Sequence, residues 1–214
     1  MKKVLFILLM VILVAGITSC DGNKKQQSNK TSEQVVDSSL VVENLISTDR
    51  EAMTLEFTKN YKWYETCVVN QENFDSDSAS TPVVVEVTNI FQCPLNNHVA
   101  SAEMQVVEYT HTKDTTTMKV NKGFWLGDQP MNNEKINLTY TDAYAKMMAT
   151  NLPKPHSRQC VLRKELGPKK CNPQYIFGNK QAQVYVDATT GNVTDKNPAY
   201  EGFGDVEPPA GQRH

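Results

Sequence analysis

The ten residues VYVDATTGNV, at positions 184–193, have the clearest structural pattern in this chain of 214 residues. The valines alternate with Tyr185, so they point to one face of a predicted strand while the tyrosine points to the other. Asp187 can accept backbone N–H bonds from the turn that follows, and Gly191 supplies the positive φ that this turn requires. The stretch therefore predicts a strand that ends in a tight turn.

A helix and further strands are predicted before this stretch. Thr139 or Thr141 is the expected N-cap of a helix over Asp142–Thr150, and Pro153 and Pro155 end it. Tight turns then separate segments rich in β-branched and aromatic residues. Three antiparallel strands are expected, at Gln159–Leu166, Gln174–Phe177 and Gln183–Val186.

With this order of elements, the segment from about Thr139 to Val193 resembles a PepSY domain, whose typical ending is an aromatic-flanked V-D-A-x-T-G-x-V. PepSY domains occur in protease propeptides and in envelope proteins. The resemblance implies a non-catalytic module that binds or inhibits another protein. The whole chain also resembles small lipoproteins of Bacteroides-type bacteria that carry PepSY-like modules.

The preceding part of the chain repeats the order of a helix followed by strands. The run Thr48–Glu51 has the pattern of a capping box at the start of a short amphipathic helix. The sequence therefore predicts an α+β fold of two helix-plus-antiparallel-sheet modules, at 48–122 and 123–196, with a loose tail at 197–214. Strands of the first module are expected at Trp63–Val69, Val83–Phe91, Ala102–Thr110 and Thr115–Val120.

The N-terminus has the pattern of a secretory signal. Two lysines precede an almost unbroken apolar run, and residues 1–19 are the predicted signal peptide. The ending Ile17-Thr18-Ser19-Cys20 is similar to a bacterial lipobox, which implies that Cys20 is diacylated and becomes the mature N-terminus. Residues 20–47 are the predicted lipidated tether. The alternative is a transmembrane anchor, for which the apolar run is short.

The net charge of the chain argues against a nucleic-acid partner. Residues 1–19 hold two of the 22 basic residues and none of the 24 acidic ones, so the mature chain has a formal net charge of −4. General nucleic-acid binding requires a basic field, and an anionic bilayer attracts polybasic segments. We therefore expect no nucleic-acid partner, and attachment to the membrane through the N-terminal lipid. The expected location is the bacterial cell envelope, periplasmic or surface-exposed.

Four cysteines remain after Cys20. An even number in an exported chain suggests disulfides, with three possible connectivities. Their positions favour Cys160–Cys171, on either side of a Gly-Pro turn, and then Cys67–Cys93. The alternative is four reduced, buried thiols.

No spacing in the sequence matches a known metal or catalytic motif. A zinc site from His156, Cys160 and Cys171 fits no finger pattern, and a His156–Cys160 nucleophile pair lacks a visible orienting residue. Metal, cofactor and catalytic residues are therefore all expected to be absent. The numerous aromatic residues could line a ligand groove, but a sheet core is favoured. They are Tyr61, Trp63, Tyr64, Phe91, Tyr109, Phe124 and Trp125.

Two loops carry candidate recognition or modification residues. A stiff, basic loop could present a surface to an acidic partner, through Pro153, Lys154, His156 and Arg158. Two sites resemble the short D-[S/T]-x acceptor for O-glycans in Bacteroides-type bacteria, at Ser78 and Thr115.

These features predict a lipid-anchored, non-enzymatic envelope protein that binds or inhibits a protein or peptide partner, along an exposed strand edge. One alternative is an envelope hydrolase with its site in the aromatic-rich first module. Another is a carrier of a small ligand, for which an apolar pocket is expected.

Overall fold

The fold is an antiparallel sheet with helices packed on one face. The computed structural model describes residues 39–77, 81–95 and 103–202, and these lie in one compact unit. No helix within these ranges is long and apolar enough to cross a bilayer. The predicted signal peptide and Cys20 lie outside the described residues.

Nine strands form the sheet in the described part of the chain. They are β1 (Lys62–Asn70), β2 (Val84–Pro94), β3 (Met104–Thr112), β4 (Thr116–Lys122), β5 (Asp128–Gln129), β6 (Gln159–Glu165), β7 (Gln174–Asn179), β8 (Ala182–Asp187) and β9 (Val193–Thr194). Their order is β4-β3-β2-β1-β6-β7-β8-β9, and β5 pairs with β6 beside this path. Neighbours are antiparallel, which confirms the predicted mixture of helix and antiparallel sheet.

The central pair of strands joins the two halves of the chain. β1 and β6 are antiparallel, with Thr66 opposite Leu162 and Glu65 opposite Arg163. Strands from 48–122 and from 123–196 therefore share one continuous sheet. The division into two modules stays a prediction.

Helix α1 (Val42–Ala52) begins earlier than predicted and continues into a π-helical turn, Met53–Phe57. Val42, Ile46 and Asp49 recur at helical spacing and are all buried, so packing against the sheet selects this start. The expected capping box lies inside the helix. Residues 42–47, which the sequence placed in the tether, are thus its first turns.

Helix α2 (Tyr140–Met148) agrees with prediction. Thr139 is its N-cap: the hydroxyl accepts the backbone N–H of Asp142, whose side chain in turn accepts from Thr139. This capping box satisfies N–H groups that a helix start leaves unpaired. The cap also fixes where the chain turns back onto the sheet.

Both helices pack on the same face of the sheet, called the helix face here. Its core is continuous from α1 to α2 and includes Val42, Ile46, Trp63, Phe91, Tyr140, Tyr144, Phe177 and Val186. Trp63, Tyr64, Phe91 and Tyr109 are buried, so these aromatic residues fill the sheet rather than line a groove. The opposite face carries no helix of the described chain and is called the open face.

Candidate functional site

The predicted basic recognition loop is held in place by its own chain. The Lys154 ammonium donates to the carbonyls of Met147 (2.8 Å) and Thr150 (2.7 Å), so it caps the C-terminus of α2. Burial also lowers the pKa of Lys154. Lys154 therefore holds the loop against the end of α2, and its expected role toward a partner stays a prediction.

The rest of that loop packs beside the segment after β1. His156 Nδ1 lies 2.9 Å from Asp75 Oδ2 at the surface, and the Arg158 carbonyl accepts the N–H of Asn70 at 2.8 Å. Pro153 and Arg158 are exposed. Of the four predicted residues, Pro153, His156 and Arg158 thus reach the surface, and their role stays a prediction.

The cysteines do not pair as predicted, because the four described here are free thiols: Cys67, Cys93, Cys160 and Cys171. Cys67 lies opposite Thr88, five positions before Cys93 on β2, or about 16 Å along the strand, whereas a bridge needs Cα atoms within about 7 Å. Cys160 lies opposite Phe177 near the far end of β7, while Cys171 precedes that strand. Strand register separates the members of both predicted pairs.

One of the two predicted glycan acceptors can be located. Thr115 is exposed in the turn between β3 and β4, and its hydroxyl bonds to that of Thr112 at 3.0 Å. Ser78 lies outside the described residues. Modification at either position stays a prediction.

Strand β4 is an exposed edge of the sheet. It is one of the two terminal strands in the sheet order, the other being the two-residue β9, and all seven residues of β4 are exposed. Met118 and Val120 keep 50% and 42% of their surface accessible and lie on the same side of the strand. An exposed edge with apolar side chains is the feature that strand-adding partners use.

The register shows which backbone groups of β4 point away from the sheet. The Thr112 N–H donates to the Thr115 carbonyl at 2.8 Å, which closes the β3–β4 hairpin. Hydrogen-bonded and non-hydrogen-bonded pairs alternate in an antiparallel ladder. Counting from the turn, Thr116, Met118 and Val120 direct their N–H and C=O groups to the free edge. Met118 and Val120 therefore each present outward-pointing backbone groups together with an exposed apolar side chain.

A buried polar network ties this edge to α1. His111 on β3 contacts Thr116 Oγ1 through Nδ1 (3.0 Å) and Asp49 Oδ2 through Nε2 (2.8 Å). Asn89 Nδ2 donates to the same carboxylate at 2.7 Å, and Thr66 Oγ1 donates to Asn89 Oδ1 at 2.6 Å. Buried residues of the core therefore fix the position of Thr116, at the start of β4.

A second polar cluster lies on the open face. Arg163 on β6 contacts three carboxylates: Asp128 Oδ1 at 3.5 Å from Nε, Glu65 Oε2 at 3.8 Å from Nη1, and Glu165. Burial alone would lower the pKa of Arg163, but the carboxylates of Asp128, Glu165 and Glu65 raise it above its ordinary value. The guanidinium therefore stays charged and binds the three acids together.

The Cys67 thiol belongs to this cluster as a donor. Its Sγ lies 2.9 Å from Glu65 Oε1. Burial, followed by the charge of Glu65, raises the pKa of the thiol well above its ordinary value. A thiol that stays protonated is a poor nucleophile, so the cluster does not support thiol catalysis.

Sequence reasoning missed Asp49, His111, Asp128 and Arg163. Periodicity could have placed Asp49 on the buried stripe of α1, because Val42 and Ile46 precede it at helical spacing. For the open-face cluster, alternation places Arg163 and Glu165 on one face of β6, but only the pairing of β1, β5 and β6 brings Glu65 and Asp128 to them.

The comparisons with known proteins add no assignment. The chain matches no protein family, no curated protein and no solved structure.

Proposed function

We propose that this protein is a lipid-anchored, non-enzymatic binding module of the bacterial cell envelope, with a PepSY-like second half. In this proposal it takes an extended segment of a protein or peptide partner as an additional strand on β4. The observation that carries the proposal is the coincidence, at Thr116, Met118 and Val120, of outward backbone groups and exposed side chains. Main-chain bonds would supply affinity, and alternate side chains would supply specificity.

Charge favours an acidic partner segment. Strand β4 carries Lys119 and Lys122 and no acidic residue. Self-pairing of β4 would bring lysines of two copies close together, and like charges opposite one another destabilise a strand pair. Glutamate or aspartate on the partner would instead be attracted. The preferred segment is therefore extended, with apolar residues at alternate positions and acids between them.

We expect full-length protein, purified in detergent, to bind an eight-residue peptide in which valine and glutamate alternate. Replacing Met118 by proline removes one outward N–H and one apolar side chain without removing a ladder bond to β3. Binding should weaken by at least ~10-fold, or about 1.4 kcal/mol. Fluorescence anisotropy of the labelled peptide measures this change.

Matched controls locate the effect. Val41→Ser removes an exposed apolar side chain at the start of α1 and should leave the affinity unchanged. A valine–lysine peptide should bind more weakly than the valine–glutamate peptide. Equal binding to wild type and Met118→Pro, or no binding of either peptide, would refute the assignment to β4.

The lipid anchor is tested separately. Cells grown with radiolabelled palmitate should label the wild-type protein in the membrane fraction, and Cys20→Ala should remove the label completely, because the acceptor thiol is lost. Ser39→Ala, in the same N-terminal region, serves as the control and should keep the label. An unlabelled wild-type protein would exclude this mode of attachment.

One observation favours the hydrolase alternative. The series Thr116–His111–Asp49 places a hydroxyl, an imidazole and a carboxylate in hydrogen-bond contact, which is the order of a nucleophile, a base and an orienting acid. The same peptide assay separates the two functions. Cleavage of the bound peptide that stops in His111→Gln would favour hydrolysis, and intact peptide favours the binding module.

A further inference from the structure

Three large apolar side chains are exposed where strands connect at one end of the sheet. Strands β4 and β6 both end there, and the segments that follow them hold Phe124, Leu126 and Leu166. These side chains keep 59%, 74% and 48% of their surface accessible. Leu126 and Leu166 come from neighbouring segments, because Asp128 pairs with Glu165 between β5 and β6. The distal end, as it is called here, comprises the connecting segments 58–61, 123–127 and 166–173.

Trp125 fixes which of its neighbouring side chains point outward. Its indole N–H donates to Asp128 Oδ2 at 3.1 Å, and its backbone N–H donates to Gln92 Oε1 at 2.7 Å. The tryptophan is therefore held against the sheet, while Phe124 and Leu126 on either side of it are exposed. A segment that is already ordered presents apolar side chains at a lower entropic cost than one that must be ordered on binding. The two side chains thus form a contact that exists before any binding.

Lysines surround these apolar side chains. Five are exposed in the distal end or at the strand ends beside it: Lys59, Lys62, Lys122, Lys169 and Lys170. Three exposed acids lie nearby in the described part of the chain, of which Glu201 pairs with Lys169 at 3.1 Å; the other two are Glu56 and Glu103. The exposed charge at this end is thus positive, although the whole chain has a formal net charge of −2. Apolar side chains among lysines are typical of surfaces that enter the interface of an anionic bilayer.

The proposed lipid anchor can bring a bilayer to the distal end. The described chain begins at the opposite end of the sheet, where the Val84 N–H at the start of β2 donates to Ser39 Oγ at 3.0 Å. Strand β2 has 11 residues and is therefore about 36 Å long. From Cys20 to Ser39 a polypeptide can span at most ~65 Å, which exceeds that length. Because the anchor keeps the protein close to the membrane, even a weak contact would be occupied.

We propose that the distal end enters the interface of a bilayer that contains anionic lipid, with Phe124, Leu126 and Leu166 at the acyl chains and the lysines at the headgroups. The proposal rests on the lipid anchor proposed above and adds a second contact to it. Strand β4 ends at Lys122 and would then run toward the bilayer. A partner segment on β4 would therefore be bound close to the membrane surface.

Quenching of tryptophan emission by brominated lipid tests this contact. Full-length, lipidated protein is reconstituted into vesicles of three parts phosphatidylcholine and one part phosphatidylglycerol, with bromine on the acyl chains. Phe124→Trp should lose the emission of its added tryptophan, because that ring would lie beside the brominated chains. Val41→Trp changes an exposed apolar residue at the opposite end of the sheet and should keep its added emission. Wild type, with Trp63 in the core and Trp125 against the sheet, gives the baseline.

Charge reversal tests the part that the lysines play. In the Phe124→Trp background, Lys122→Glu should lower the ratio of bilayer-bound to free distal end at least ~5-fold, because a lysine near an anionic surface contributes attraction. Lys180→Glu makes the same change in the turn between β7 and β8, at the opposite end, and should leave the quenching unchanged. Equal quenching in the two variants would overturn the placement of the lysines at the headgroups.

Flotation of the same vesicles separates the contact from the anchor. Protein that floats but leaves Phe124→Trp unquenched refutes the contact and not the anchor, and it would leave the distal end to a protein partner. Quenching of Val41→Trp alone would place the opposite end on the bilayer and refute the contact as well. Protein that does not float refutes the anchor and the contact together.

Discussion

Asp49→Ala should lower the free energy of unfolding by about 3 kcal/mol, because it removes the central acceptor of a buried network. The carboxylate accepts from Asn89 Nδ2 at 2.7 Å and contacts His111 Nε2 at 2.8 Å. Asp49 is only 2% exposed, so water cannot replace it freely. Alanine therefore leaves two buried polar groups without their acceptor.

The cost should exceed that of a single hydrogen bond because the network extends across the sheet. Asn89 is held on its other side by Thr66, and Trp63 Nε1 donates to Thr66 Oγ1 at 3.2 Å. A network that is only partly satisfied is worse than one that is complete. Urea denaturation at pH 7, followed by circular dichroism, measures the difference.

Two variants on the same helix calibrate this result. Glu51→Ala changes an exposed acid of α1 and should alter stability by less than about 0.5 kcal/mol. Asp49→Asn keeps an acceptor oxygen and should cost less than Asp49→Ala. A loss in Asp49→Ala no larger than in Glu51→Ala would show that the network does not hold α1 to the sheet.

The network also bears on the proposed binding edge. His111 fixes the hydroxyl of Thr116, the first residue of β4. A free edge binds an extended partner well only if its backbone is already ordered, because ordering it on binding costs entropy. The buried series from Trp63 to Thr116 therefore explains how a strand exposed on all its residues can still present a defined edge.

Local patterns predicted the elements that local chemistry determines. The N-cap Thr139, the β3–β4 hairpin and the turn after β8 each depend on residues close in sequence. In that turn, Asp187 accepts the N–H groups of Thr189 and Thr190, both at 2.8 Å, and Gly191 has a φ of 78°. The sequence alone therefore predicts each of these three features.

Features set by distant pairing could not be predicted in this way. Glu65 and Arg163 are opposite one another only because β1 pairs with β6, about a hundred residues apart in sequence. The predicted cysteine pairs are wrong for the same reason: closeness in sequence suggested Cys160–Cys171 and left Cys67–Cys93 as the second pair, and the strand register allows neither bridge. Tertiary packing, rather than any motif, assembles the open-face cluster.

Phe177→Ala should cost about 4 kcal/mol, because it removes a fully buried ring from the helix-face core. The Phe177 ring lies 5.3 Å from Phe74, 6.0 Å from Tyr140 and 6.2 Å from Tyr144, centroid to centroid. Alanine leaves a cavity that these rings cannot all close. Urea denaturation of the full chain measures the loss, and Phe124→Ala, at an exposed ring between β4 and β5, should change stability little.

The same experiment shows whether the two predicted modules unfold together. Phe74 follows β1 in the first half of the chain and contacts Phe177 and Tyr144 in the second. Because β1 and β6 also pair directly, the Phe177→Ala substitution should lower the stability of the first half as well. In a Trp125→Phe background, where Trp63 of the first half is the remaining tryptophan, we expect tryptophan emission and circular dichroism to give one coincident transition, shifted to lower urea in Phe177→Ala. Separate transitions, with tryptophan emission unshifted by the substitution, would mean that 123–196 unfolds independently and that the shared sheet does not couple the halves.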